Sequence, residues 1–146
     1  MVRSGAMSLE AHKDLVRRYQ EILNNGDLDA LGTVVAADIS MPTSFPGFPP
    51  GLEGARAIAA ANIQMIPDFH VSIDELIAEG DRVAALITIT GTHTRDMLGI
   101  PPTGKAWTVV GMSLFRIAEG KIVEHRGVGD ILSILQQIGA FPAFGE

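Results

Sequence analysis

The 146-residue sequence has no cysteine, which excludes disulfides, thiolate nucleophiles and cysteine-ligated metals. Positive charge is scarce: 11 basic residues face 17 acidic ones, for a net charge of -6. The basic residues form no cluster, so nucleic acid and acidic membrane surfaces are poor partners. No apolar run is long enough to span a bilayer and no signal peptide is visible, so the expected location is the cytoplasm. Charged residues are only 19% of the chain, but hydrophobic residues make up 47%, which excludes a disordered chain. The length suits one domain with a real core. Residues 1–6 (MVRSGA) show no periodicity and read as a ragged or appended start. Residues 7–146 are expected to form a single domain.

Periodicity places the elements. Ser8 caps a helix in which Leu15, Val16, Tyr19, Ile22 and Leu23 repeat at helical spacing, and Asn24-Asn25-Gly26 stops it. Asp27 or Asp29 caps a second, shorter helix that buries Leu28, Leu31, Val34 and Val35. Residues 40–54 hold Pro42, Pro46, Pro49 and Pro50 with three glycines, so they read as a loop. Phe45 and Phe48 make that loop apolar, as a lid over a pocket would be. A third helix fits Ala55–Met65. Strands follow at His70–Ala78, Val83–Thr92, Ala106–Ile117 and Lys121–Val128, with turns at Glu79-Gly80-Asp81 and Glu119-Gly120. Asp130 caps a last helical segment with Leu132, Leu135 and Ile138 on one face, ended by Gly139. Helices first and a mostly antiparallel sheet after them make an α+β fold. The strands are apolar on both faces. That predicts a curved sheet around a pocket on one side and a covered face on the other. Val83, Ile87, Ile89, Val110 and Leu114 are candidates for a homodimer contact.

Three stretches carry a family resemblance: residues 67–94 (PDFHVSIDELIAEGDRVAALITITGTHT), 98–105 (LGIPPTGK) and 111–139 (GMSLFRIAEGKIVEHRGVGDILSILQQIG). Together they resemble the SnoaL-like polyketide cyclases, within the cone-shaped superfamily of ketosteroid isomerase, scytalone dehydratase and nuclear transport factor. The resemblance implies a cystatin-like α+β barrel, a curved antiparallel sheet wrapped on the N-terminal helices. It also implies an intramolecular aldol-type cyclase acting on an aromatic or polycyclic polyketide ester, without metal or organic cofactor. Such chemistry needs a base for a proton flanked by carbonyls and a donor for the new alkoxide. The family's strand usually runs acid or His, Trp, Asp, two residues, Asp. This chain reads His125, Arg126, Gly127, Val128, Gly129, Asp130. The middle acid is thus a glycine. Either His125 takes over as base, or the protein binds its small molecule without catalysis. A dehydratase, isomerase or hydrolase on the same scaffold is a further alternative.

His125 and Asp130 are the catalytic candidates, the second with a competing role as helix N-cap. On the facing strand, Ser113 occupies a place where relatives often carry a polar group or imidazole. His93 is read either as a cavity-rim residue or as a hydrogen-bonding residue of its loop. Tyr19, Phe45, Phe48, Met65, Trp107 and Met112 are the expected apolar lining, although Met65, Trp107 and Met112 also read as simple core. Asp68 reads as a turn former. His12 and His70 have no partner at ligand spacing, so no metal site is expected.

Overall fold

The computed structural model describes residues 7–42 and 46–142. Phe45, expected in the pocket, lies outside the described residues. The first helix, α1 (Leu9–Asn24), is capped as its sequence predicts, with the Ser8 hydroxyl accepting from the Ala11 N–H at 3.0 Å. Its last residue ties it to the sheet. Asn24 donates from Nδ2 to the Val71 carbonyl at 2.8 Å and accepts the Val71 N–H at 3.0 Å, much as a neighbouring strand would. The expected second helix is a single 3₁₀ stretch, Leu28–Thr33. Val34 and Val35 are buried as expected, but Val35 opens a strand, β1 (Val35–Ser40), rather than ending a helix.

Helix α2 (Gly51–Met65) starts four residues earlier than the sequence suggests, with Pro50 at its N-cap position. Strands β2 (His70–Glu79), β3 (Arg82–Thr92), β4 (Ala106–Ala118) and β5 (Lys121–Gly129) then form an antiparallel run. Between β4 and β5, Glu119 and Gly120 both take positive φ, 51° and 76°, as a two-residue turn of this hand requires. The sheet order is β1-β5-β4-β3-β2, with β1 parallel to β5. The sheet is therefore mixed, with four antiparallel strands and one parallel edge, in keeping with the mostly antiparallel expectation. Helix α3 (Ile131–Gln137) closes the chain, with Asp130 accepting the Ser133 N–H at 3.0 Å. Its buried residues are Ile134 and the following Ile138, while Leu132 is exposed. No helix among the described residues is long and apolar enough to cross a membrane.

Alternation along β4 sorts its side chains. Trp107, Val109, Ser113, Phe115 and Ile117 are buried on the inner face, and Val110 and Met112 are exposed on the outer one. Of the five residues considered for a dimer contact, Val83 and Ile87 are buried in the core and Ile89 packs against it. Val110 and Leu114 occupy the outer face. Two core clusters result. The larger joins α1, β1 and the inner sheet through Val16, Tyr19, Ile39, Val83, Phe115 and Ile122. The smaller joins Ile66, Met97, Trp107, Val109, Ile134 and Ile138 beneath α3.

Close packing of α2 against the loop before it yields a test. A Cβ on Gly54 would overlap the Pro49 carbonyl oxygen. Helix propensity alone favours alanine there by about 1 kcal/mol, but displacing backbone costs roughly 1–3 kcal/mol. Gly54→Ala is therefore expected to lower the denaturant midpoint. A raised midpoint would show that the Pro49 segment yields freely.

Candidate functional site

The inner faces of β4 and β5 bring three expected residues together. Phe115 pairs with His125 and Ser113 with Gly127 across the ladder. His125 lies flat on the Phe115 ring, centroids 4.7 Å apart and planes 7° from parallel. Tyr19, from α1, meets both rings edge-on, at 5.4 Å from Phe115 and 5.9 Å from His125. His125 Nε2 is 3.1 Å from Ser113 Oγ. Its Nδ1 is buried with no hydrogen-bond partner among the described residues. Burial among these groups pushes the imidazole down to about 4, so it is neutral at neutral pH. The same burial raises the Tyr19 phenol far above its usual range, and it stays protonated.

A concavity of about 350 Å³ opens between β1, the loop after it and α2, walled by Ile39, Ser40, Met41, Phe48, Gly54 and Ile58 among others, and none of Tyr19, Ser113, Phe115 and His125 lines it. Ser40 is in register with Glu124, whose side chain takes the sheet face opposite to that of His125. Phe48, from the Pro-rich loop, is part of the wall.

The other expected residues fall elsewhere. Met112 faces outward and is 49% exposed, because neighbours on a strand take opposite faces and Ser113 faces inward. Trp107 sits in the smaller core cluster, 2% exposed, with Met65 packed partly buried against that cluster. His93 is not at a rim. Its Nδ1 bonds the Thr103 hydroxyl at 2.9 Å and accepts the Thr103 N–H at 3.2 Å, while Nε2 is 3.1 Å from the Ile100 carbonyl. That fixes it as a neutral Nε2–H tautomer knotting the loop between β3 and β4. Asp130 is exposed, and its carboxylate caps α3. Asp68 accepts from the Thr92 hydroxyl at 2.6 Å and N–H at 2.9 Å, bonds that lower its pKa and fasten the turn to β3. Among the described residues no three His, Cys, Asp or Glu side chains converge as metal ligands.

Sequence reading did not find the roles of Phe115 or of the Ile39–Met41 wall. Counting back from the Glu119-Gly120 turn would set Phe115 opposite Glu124. A bulge between Arg116 and Ile117 moves it opposite His125.

The family model described as SnoaL-like polyketide cyclase matches residues 13–138. The chain is 31% identical to the aklanonic acid methyl ester cyclase DnrD of Streptomyces peucetius over 130 residues, 86% of this chain and 89% of that protein. It is 35% identical to the nogalonic acid methyl ester cyclase of Streptomyces nogalater over 70 residues, 48% of this chain and 50% of that one. Among solved structures, TsrD from Streptomyces laurentii superposes with a TM-score of 0.84 at 26% identity, covering 93% of this chain and all of its own.

Desolvation of His125 links folding to pH. Its folded value lies below the unfolded ~6.5, so the protein is fully stable above that pH. Stability then falls as pH drops toward 4, by up to roughly 3 kcal/mol. His125→Phe keeps the ring stack without the titration. Between pH 7 and 4.5 the wild type should lose about 2 kcal/mol more than this variant in denaturant melts. Equal losses would show that the imidazole is not desolvated.

Proposed function

The chain belongs to the SnoaL-like polyketide cyclase family, and on that footing we propose that it cyclises an aromatic polyketide methyl ester by an intramolecular aldol-type reaction, with His125 as the base. The observation that carries this is a neutral imidazole on an apolar stack, hydrogen-bonded to Ser113, and the fold also holds a concavity of about 350 Å³ between β1 and α2. That volume is in the range of small-molecule sites. The reaction removes a proton flanked by carbonyls and returns one to the new alkoxide. One group can do both in turn, with no cofactor. A base with a value near 4 is weak in water. In a dry site, however, the enolate it creates stabilises the imidazolium beside it. Asp130 already accepts a backbone N–H, which favours its capping role over a catalytic one. The rival reading is a binder that kept the cone and lost the acid at Gly127, and turnover separates the two.

The same reading makes the protein a cytoplasmic homodimer. Ile77, Val110, Met112 and Val128 are exposed on the outer sheet face, Val128 at 70%. Contiguous apolar surface of this kind is normally covered, and a second copy offers the same face in return. Sedimentation at micromolar concentration should show a dimer, and a monomer would remove this part of the reading.

The catalytic test is turnover of aromatic polyketide methyl esters with no added cofactor. His125→Ala is expected to lower kcat by about 10²–10⁴-fold while binding persists. Because the neutral ring is the base, kcat/KM should be level from neutral pH down to about 5 and fall through about 4. Full activity in His125→Ala would move the base to Asp130. Binding without turnover in the wild type would favour the binder.

A further inference from the structure

The concavity between β1 and α2 is a hollow that its own walls cannot close. Protein interiors pack tightly, so a space of about 350 Å³ persists only where backbone holds it open. Here the first turn of α2 rests directly on backbone. A Cβ on Gly51 would come within 2.5 Å of the Ala37 carbonyl oxygen, and one on Gly54 would overlap that of Pro49. Pro49 and Pro50, just before the helix, have fixed φ. The helix therefore has no room to settle further onto β1 or onto the loop. We propose that this hollow is a second small-molecule site, separate from the His125 stack, and that it takes a neutral, flat aromatic ring system.

The wall decides the class of ligand. No charged side chain among the described residues lines the hollow, so a charged ligand would lose water there without gaining a partner. The Phe48 ring, the Met41 thioether and the neighbouring proline rings pack well against the faces and edges of an aromatic ligand. Ser40 supplies one hydroxyl, which can donate to a ligand carbonyl or accept from a phenol. The volume lies at the low end of the roughly 300–1,000 Å³ of small-molecule sites, which suits one compact ring system rather than a long chain. Separation from the stack rests on Ile39. It is buried in the larger core cluster together with Tyr19 and Phe115, and it also lines the hollow, so it is the wall the two places share. Occupancy of the hollow leaves the His125 ring in its stack. The site holds for a cyclase and for a binder alike, and its test needs no turnover.

Carbon-13 methyl NMR at neutral pH tests the site, with a neutral dihydroxyanthraquinone as the probe. The expected result is saturable shifts of the Ile39, Met41 and Ile58 methyl groups. The dissociation constant should stay within about twofold in His125→Phe, because distant sites act independently. Ile58 is only partly buried, so Ile58→Trp should melt with the wild type while filling the hollow from α2. It is expected to weaken the probe at least ~10-fold. An anthraquinone disulfonate, with a charge at each end, should give no saturable shifts. Three still methyl groups at the solubility limit of the probe would overturn the site. So would shifts confined to the Tyr19 and Phe115 rings, or loss of binding in His125→Phe, since either would put the probe on the stack. Equal affinity for the disulfonate would overturn the neutral class. Unchanged affinity in Ile58→Trp would overturn the placement. If Ile58→Trp does not fold, Phe48→Ala decides instead. Phe48 is 37% exposed, its loss is expected to weaken the probe by about 3–10-fold, and unchanged affinity would again overturn the placement.

Discussion

One irregularity in β5 decides which of its side chains face the interior of the sheet. Ile117 pairs with Ile122, but Arg116 pairs with Glu124, so Val123 is an extra residue in the strand. Without it, alternation from the fully buried Ile122 would turn Glu124 and Arg126 inward and His125 outward. Their ion pair would then enter the larger core cluster, where loss of water costs roughly several kcal/mol. With the bulge, Glu124 and Arg126 pair with each other at 3.2 Å on the outside, and His125 and Gly127 reach Phe115 and Ser113. The bulge is held by burial on one side and charge on the other. The site inherits its precision from both.

Replacing a carboxylate by imidazole in a dry cone reverses the effect of burial. Desolvation raises a carboxylate toward neutrality and makes it a stronger base. The same desolvation pushes His125 down to about 4 and makes it a weaker one. A buried imidazole therefore depends more on what faces it once it is protonated. The resting structure is arranged for a neutral ring.

Much of this was legible in the residues. Helix α1 and its Ser8 cap, the four antiparallel strands, the Glu119-Gly120 turn and the Asp130 cap all carry local signals that tertiary packing did not override. Strand β1 carried none. Its pairing with β5 is parallel, so no hairpin turn announces it, and Val34-Val35 continues the apolar spacing of the 3₁₀ stretch before it. The bulge was equally silent, since one inserted residue leaves composition and propensity unchanged. The placing of Met112 was available and missed: adjacent strand residues cannot both line a pocket, and Ser113 already claimed the inner face. For Trp107, an aromatic on the inward alternation could belong to either cluster, and only the position of α3 decides.

The histidines differ in how much hydrogen-bonding capacity their rings leave unused. His93 is more deeply buried than His125, yet both of its ring nitrogens are bonded within its own loop. It has no capacity left for a substrate, and its bonds hold Met97 and Ile100 close to the smaller cluster. His12 is buried on α1 with an unbonded Nδ1, but no nucleophile or donor is bonded to its ring among the described residues. His125 alone joins a hydrogen-bonded hydroxyl to an unbonded nitrogen and a floor without a side chain. Burial by itself ranks these residues wrongly. The unused hydrogen-bonding capacity of each ring, set against the space beside it, ranks them by chemistry, because a saturated ring is fixed by its partners and an unsaturated one can exchange a partner for a substrate.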